Sequence, residues 1–340
     1  MRAMTYTQTG ESDVLRLVDR PVPDPGKGEV RVRVMVSGVN PSDWKSRRGV
    51  SAAQALPYPE MVPNQDGAGI VDAVGDGVTT LEVGQRVWLW EAAWRRADGT
   101  AQEHVVLPAR QAVPLPDHAS FELGASLGIP AITAHRCLTV AEGGPAQLSP
   151  GALAGVTVLV AGGAGAVGHA AIQLARWAGA TVVTTVSSPA KADLARRAGA
   201  HHVVDYRQED AKAAIRQAAP DGVEIIVEVA PAQNEALDRA VAAPGATVAI
   251  YANNGGDELT LTVRHHVAPN TRFQFVLVYT LSREAKDHAV AAVAAAVADG
   301  ALPVGEDAGL PLVRFTLEDA AGAHDAVEAG AVGKVLIDLA

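Results

Sequence analysis

The segment Val156-Thr-Val-Leu-Val-Ala-Gly-Gly-Ala-Gly-Ala-Val-Gly168 decides the fold of this chain. An apolar stretch rich in β-branched residues leads into a loop where Gly163, Gly165 and Gly168 form the pattern G-x-G-x-x-G, and residues 170–178 continue as an apolar helix. A strand, a glycine-rich turn and a helix in that order are typical of a dinucleotide-binding βαβ unit. Glycine lets the backbone approach a pyrophosphate closely, and the helix N-terminus offers unpaired N–H groups. We therefore expect a dinucleotide at this loop.

The next strand indicates which dinucleotide is bound. An NAD site usually places Asp or Glu near the end of this strand, where the carboxylate binds the ribose 2′-hydroxyl. Here the strand at 180–186 is followed by Ser187, Ser188 and Lys191, and the first carboxylate is Asp193. Hydroxyl groups and an ammonium suit a 2′-phosphate, which a carboxylate would repel. The sequence therefore predicts NADPH, with Lys191 at the phosphate.

Composition limits the class of protein. The chain has 340 residues, enough for two domains, and a net charge of −10 without a Lys/Arg-rich run, which argues against nucleic acid or an anionic membrane as partner. The single cysteine, Cys137, excludes an intrachain disulfide and fits a reducing compartment. The N-terminus lacks the apolar core of a secretory signal, and the Ala-rich stretch 289–298 is too short to span a bilayer. We expect a cytoplasmic protein.

The order of strand and helix patterns predicts two domains. About the first 115 residues contain short strands, such as the alternating stretch 29–36, and this spacing favours a small β-barrel-like domain. From residue 121 helices alternate with strands, as in a doubly wound parallel sheet. The six strands expected there are 156–161, 181–186, 202–205, 223–229, 246–251 and 273–279. We expect the final strand, 334–338, to rejoin the first domain.

Several segments carry a resemblance to a known family. They are Gly38-Val-Asn-Pro-Ser-Asp-Trp-Lys45, Pro63-Asn-Gln-Asp-Gly-Ala-Gly69, Leu127-Gly-Ile-Pro-Ala-Ile-Thr-Ala134, the glycine-rich loop and Gly333-Lys-Val-Leu-Ile337. Nearly end to end, the chain resembles the medium-chain dehydrogenase/reductases, and within them the zeta-crystallin-like quinone oxidoreductases. The resemblance implies an α/β fold with a GroES-like β-barrel catalytic domain at 1–125 and 283–340 and a Rossmann doubly wound parallel sheet at 126–282. It also implies a homodimer or homotetramer.

The residue types at the expected metal positions exclude zinc. Zinc alcohol dehydrogenases of this family place a Cys near the segment Gly38-Val-Asn40 and a Gly-His-Glu where this chain has Asn64-Gln65-Asp66. Neither place offers a thiolate or an imidazole, and one cysteine cannot build a four-thiolate zinc lobe. Without a Lewis acid, reduction of an electron-poor acceptor is favoured over alcohol oxidation. The protein then needs mainly to hold the nicotinamide against the acceptor and donate hydrogen bonds to the acceptor oxygen.

The resemblance places three residues around the nicotinamide or the acceptor: Asn40, Lys45 and Thr133. Lys45 stands where many relatives have Tyr, so it either stabilises an oxyanion or only contacts a cofactor phosphate or solvent. We expect Asp43, in the same segment, to be a solvated loop carboxylate. Trp88 and Trp90 alternate along a predicted strand, which favours packing in the barrel over stacking on a planar acceptor.

The resemblance also implies a set of cofactor-binding residues. They are Gly163, Ala164, Gly165, Ala166, Val167 and Gly168 along the pyrophosphate, Ser187, Lys191 and Tyr206 at the adenosine end, Asn253, Val276, Leu277 and Val278 towards the nicotinamide, and Lys334. Two alternatives stay open: Tyr206 packs within a strand, and Lys334 simply precedes the last strand.

Three functions agree with these patterns. The main hypothesis is an NADPH-dependent oxidoreductase that transfers a hydride to a quinone or similar acceptor. A 2-alkenal or enone double-bond reductase uses the same cofactor and differs only in the acceptor. A non-catalytic NADPH-binding protein would keep the glycine-rich loop, Ser187 and Lys191 but lose the acceptor site.

Overall fold

The computed structural model describes residues 1–49 and 56–339. The strands are β1 (Arg2–Thr5), β2 (Arg16–Asp19), β3 (Glu29–Val39), β4 (Asp66–Val74), β5 (Arg86–Leu89), β6 (His104–Pro108), β7 (Ala112–Pro114), β8 (Thr157–Ala161), β9 (Thr181–Val186), β10 (His202–Asp205), β11 (Val223–Glu228), β12 (Ala242–Ile250), β13 (Arg272–Phe275), β14 (Leu312–Thr316) and β15 (Lys334–Asp338). The α-helices are α1 (Pro41–Arg48), α2 (Phe121–Leu138), α3 (Ala166–Trp177), α4 (Pro189–Arg197), α5 (Ala211–Ala218), α6 (Pro231–Val241), α7 (Val263–Val267), α8 (Arg283–Ala298) and α9 (Ala320–Glu328).

The chain forms two compact units. One comprises Met1–Ile129 with Leu312–Ala340, and the other comprises Pro130–Pro311. The family resemblance predicts that residues from 283 onwards belong to the catalytic domain, whereas α8 belongs to the second unit. This difference has a packing cause, because α8 packs against α3, and the chain beyond α8 is held by Gln173 Nε2, which donates to the Pro303 carbonyl at 3.0 Å.

A mixed sheet builds the first unit. Its strand order is β14-β15-β3-β4-β5-β7, with β6 pairing on β3. Inward residues of β3, such as Val30, Val32 and Val34, are at most 1% exposed and alternate with more exposed ones, which confirms the strand expected at 29–36. The final strand does rejoin this unit, because β15 pairs antiparallel with β3 with Val335 opposite Val39.

A parallel sheet of six strands builds the second unit. Its order is β10-β9-β8-β11-β12-β13, and every neighbouring pair is parallel. This is the doubly wound order in which ligands bind outside the carboxyl ends of the strands, where the strand order reverses. The six strands predicted from the sequence are all present, but β13 ends at Phe275, so residues 276–278 lie beyond its carboxyl end.

The alanine-rich stretch forms α8, whose buried face includes Ala289, Ala292 and Val293. Among the described residues, no helix is both long and apolar enough to cross a lipid bilayer.

Candidate active site

The glycine-rich loop joins β8 to α3, and each motif glycine meets a different constraint. A Cβ on Gly163 would lie 2.2 Å from Thr184 Oγ1, and a Cβ on Gly168 would lie 2.4 Å from the Gly162 carbonyl oxygen. A side chain at Gly163 would therefore push the loop away from β9, and one at Gly168 would push α3 away from the start of the loop. A Cβ on Gly165 would meet nothing closer than 3.5 Å, so here glycine leaves the backbone open to a ligand. These are the roles that a dinucleotide-binding loop requires.

The start of α3 can bind an anion through its backbone. Gly165 is the N-cap residue, and Ala166 and Val167 open the helix. The first N–H groups of a helix have no partner within the helix and carry its positive dipole end. Ala164 carries no polar side-chain group, so this residue can donate a hydrogen bond to a pyrophosphate only through its backbone.

Polar groups meet at the carboxyl end of β9. Ser188 caps α4 by accepting a hydrogen bond from the Lys191 backbone N–H at 3.3 Å. In the same turn, Lys191 Nζ donates a hydrogen bond to Ser187 Oγ at 3.2 Å. An ammonium and a hydroxyl thus stand together where an NAD site has a carboxylate.

Tyr206 lies beyond the end of β10, with its backbone N–H donating to the Val186 carbonyl at 3.2 Å. Its side chain is 51% exposed. The alternative of a packed strand residue is therefore wrong, because the side chain faces solvent at the carboxyl edge of the sheet.

A cavity of about 430 Å³ opens at the carboxyl ends of β12 and β13. Its lining includes Pro231, Ile250, Tyr251, Asn253, Leu259, Phe275, Val276 and Leu277. The Val276 N–H donates to the Ile250 carbonyl at 2.7 Å, whereas Leu277 is 53% exposed and Val278 is buried. The cavity is mostly apolar and lies where the second half of a dinucleotide binds in this fold.

A buried polar cluster lies in the first unit. Asn40 follows β3, its Oδ1 accepts a hydrogen bond from Lys334 Nζ at 2.7 Å, and its Nδ2 donates to Asp66 Oδ2 at 2.7 Å. Lys334 Nζ also lies 3.4 Å from Asp66 Oδ2. All three side chains are at most 3% exposed. Lys334 is the first residue of the last strand, and its ammonium contacts Asn40 and Asp66. Its expected contact with the cofactor stays a prediction.

Local sequence holds Asn40 in place. Asn40 and Asp43 form a capping box at the start of α1, with Pro41 as the first helical residue. Asp43 Oδ2 accepts the Asn40 backbone N–H at 2.7 Å, and Asp43 is 3% exposed. The expectation of a solvated carboxylate was wrong, because the capping bond draws this side chain inwards.

Burial dominates the electrostatics of the cluster. It raises the pKa of Asp43 to about 8, with a further upward contribution from the Asp66 charge. Burial also raises the pKa of Asp66 and lowers that of Lys334, and the attraction between these two groups opposes both shifts. A buried ion pair with good hydrogen bonds is the arrangement that offsets such desolvation.

The remaining predicted site residues lie on helices. Lys45 is half-buried on α1, with Nζ 5.8 Å from the centroid of the Trp44 ring. Thr133 is 5% exposed on α2 in the second unit, three positions after Pro130. Trp88 and Trp90 are at most 1% exposed, so they are packed inside the protein and not open to a planar acceptor. The core cluster on the first unit's sheet contains the alternate residues Val87 and Leu89, whereas Trp88 lies beside Gly124 of α2.

Asp66 is a site residue that the sequence did not reveal, because its position stands out there only for lacking a metal ligand. Asp66 Oδ1 accepts the Ile129 backbone N–H at 2.9 Å, and Gly128 leaves room for that carboxylate. A signal was present, since one carboxylate followed by Gly-Ala-Gly-Ile within a buried strand needs partners of its own.

Comparison with known proteins agrees with this architecture. A family model described as an alcohol dehydrogenase GroES-like domain matches residues 26–117, and one described as a zinc-binding dehydrogenase matches residues 166–299. The quinone oxidoreductase of Rattus norvegicus is 31% identical over 99% of this chain and 97% of that protein.

Solved structures cover the whole chain as well. An NAD-dependent alcohol dehydrogenase superimposes with a TM-score of 0.86 at 29% identity, with full coverage of both chains. A mycobacterial protein in complex with NADPH does so with a TM-score of 0.81, also at 29% identity and full coverage. The GroES-like domain, the parallel sheet and the full-length match together show that this chain belongs to the medium-chain dehydrogenase/reductase family, as a quinone oxidoreductase-like enzyme.

Proposed function

We propose that this protein is an NADPH-dependent, metal-free oxidoreductase that reduces a quinone or a similar activated acceptor. The choice of NADPH rests on the contact between Lys191 Nζ and Ser187 Oγ at 3.2 Å. This contact lies beside the end of β9, a strand that has no acidic residue to bind the ribose 2′-hydroxyl. The mycobacterial relative that binds NADPH supports this choice. When bound, NADPH supplies the hydride that reduces the acceptor.

The second unit would hold the cofactor. Backbone N–H groups of the loop at 163–168 would bind the pyrophosphate, while Ser187 and Lys191 would bind the 2′-phosphate and the exposed Tyr206 would cover the adenine. Asn253 and the backbone of 276–278 would receive the nicotinamide end, in line with the cavity there.

The donor set supports a metal-free reaction. The cluster at Asn40 contains an amide, a carboxylate and the Lys334 ammonium, with no thiolate or imidazole among the groups hydrogen-bonded there. Zinc prefers thiolate and imidazole ligands, and a buried ammonium 3.4 Å from Asp66 Oδ2 would repel a second cation. These residues do not fit a zinc ion, although one family model carries zinc in its description.

On the acceptor side we propose Asn40, Lys45 and Thr133. An amide, an ammonium and a hydroxyl can each donate a hydrogen bond to an oxygen that gains negative charge. None of them needs to act as a Lewis acid, which agrees with an acceptor that delocalises charge itself.

An acceptor panel tests the proposal. We expect purified protein to oxidise NADPH rapidly with 1,4-benzoquinone, and NADH much more slowly, measured by loss of nicotinamide absorbance. Turnover of 2-cyclohexenone or trans-2-hexenal alone would replace the quinone by an alkene as acceptor. Tight NADPH binding without any turnover would favour the non-catalytic hypothesis.

We also propose a cytoplasmic homodimer. The single cysteine is buried and free, in line with a reducing compartment. In the described sheet β13 is an edge strand, and Phe275, Val263 and Val267 are each at least 66% exposed near it. An edge strand that ends in an exposed Phe275, with the exposed valines of α7 beside it, is suited to pairing with a second copy.

Light scattering tests the dimer. We expect the native protein to have twice the monomer mass and Phe275→Lys to shift it towards the monomer, because a charge would be buried at the pairing edge. Val83→Lys is the matched control, since Val83 is 62% exposed in the first unit. A monomeric native protein, or an unchanged dimer in the Phe275 variant, would contradict the proposed surface.

A further inference from the structure

The side-chain amide of Asn40 is held between two opposite charges. Lys334 Nζ donates to its Oδ1 at 2.7 Å, and its Nδ2 donates to Asp66 Oδ2 at 2.7 Å. The two ends of an amide have nearly the same shape, so only its partners decide which end points where. Turning this amide over would face the ammonium with N–H groups and the carboxylate with an oxygen. The charges therefore fix its orientation.

The two charged residues are themselves fixed. Asp66 is fully buried and Lys334 is 1% exposed, and Asp66 Oδ1 is also tied to the Ile129 N–H at 2.9 Å. Two glycines provide the space: a Cβ on Gly128 would lie 2.1 Å from Asp66 Oδ1, and one on Gly38 would lie 3.1 Å from Lys334 Cε. The ion pair is thus built into the fold rather than formed by mobile surface groups.

This arrangement leaves a defined donor. The Nδ2 group has two N–H bonds, of which Asp66 takes one, and the cation on Oδ1 polarises the amide so that the other N–H becomes a stronger donor. We propose that Lys334 and Asp66 are positioning residues, which present the second N–H of Asn40 to the oxygen of the acceptor. This inference rests on the proposed function, in which Asn40 contacts the acceptor.

A double-mutant cycle tests whether Lys334 acts through Asn40. We expect Asn40→Ala to lower kcat about 100-fold, the usual cost of one oxyanion donor. Lys334→Gln should lower kcat about 10-fold by weakening the orientation of the amide. The Kd for NADPH should stay within about twofold in both variants, since neither side chain binds the cofactor in this proposal. In the Asn40→Ala background, Lys334→Gln should cost no further activity, because the group that it positions is gone.

Lys27→Gln is the matched control, because it removes an exposed lysine from the same unit and should leave kcat unchanged. Additive losses in the double variant would overturn the inference, as would a Lys334→Gln variant that raises the KM and Kd for NADPH but leaves kcat unchanged. If the Lys334 variant does not fold, Asp66→Asn in the same cycle gives the same test. A native protein without turnover of any acceptor would instead refute the proposed function.

Discussion

Lys191→Glu should raise the KM for NADPH about 100-fold while leaving the KM for NADH nearly unchanged. The reason is that Lys191 Nζ, beside Ser187 Oγ at 3.2 Å, is the cation proposed to bind the 2′-phosphate. Glutamate removes that charge-assisted bond and adds a repulsive charge. NADH has only a hydroxyl at that position, so it meets neither penalty. Steady-state kinetics with both cofactors and one quinone measures the change.

A matched variant separates this effect from a general change in charge. Lys212→Glu reverses an exposed lysine on α5 in the same unit and should alter neither KM. If Lys191→Glu raised the KM for NADPH and for NADH equally, Lys191 would not bind the 2′-phosphate. Unchanged kinetics with both cofactors would lead to the same conclusion.

The parallel sheet and its loop could be predicted because their determinants are local. Gly163 and Gly168 are required by contacts with residues that the same βαβ unit supplies, Thr184 and Gly162. Ser187 and Lys191 lie on either side of the Ser188 cap of α4, so their contact is also local in sequence. Each of these features falls within one stretch of sequence.

The buried cluster could not be predicted in this way. Lys334 and Asn40 are 294 residues apart, and nothing in the pattern Gly333-Lys-Val-Leu-Ile337 shows that the ammonium turns inwards. The pairing of β15 with β3 makes the contact, so it appears only once the sheet is assembled. The position of α8 also depends on a contact between distant segments, because α8 packs on α3 and therefore belongs to the second unit instead of the expected catalytic domain.

The burial of Asp43 could not be predicted from the sequence either. Among Ser42, Trp44 and Lys45 its carboxylate has the sequence context of a solvated turn. The capping bond to the Asn40 N–H and the neighbouring Asp66 instead place it in a buried, like-charged setting. Its titration is therefore a sensitive measure of this cluster.

Asp43→Asn should make the protein more stable than the native form at pH 8 but not at pH 4. Burial raises the pKa of this carboxyl from 3.8 to about 8, so the folded state holds its proton more tightly than the unfolded chain does. The stability that this proton contributes to the fold is complete below pH 3.8, the pKa of the carboxyl in the unfolded chain. It is lost as the pH rises towards the folded pKa of about 8. Asparagine does not titrate and can still accept the Asn40 N–H through Oδ1. The free energy of unfolding of the variant should therefore rise, relative to that of the native protein, by about 1.4 kcal/mol per pH unit across that interval.

Urea unfolding at a series of pH values between 4 and 8 measures this difference, and the difference between the two proteins cancels the titration of all other groups. Asp76→Asn, which changes an exposed carboxylate in the same unit, should show no such slope. A constant difference between Asp43→Asn and the native protein would mean that Asp43 stays ionised in the fold, with Lys334 balancing its charge. A difference that keeps growing above pH 7 would instead establish that the buried cluster carries a proton at neutral pH, beside the amide that we propose meets the acceptor.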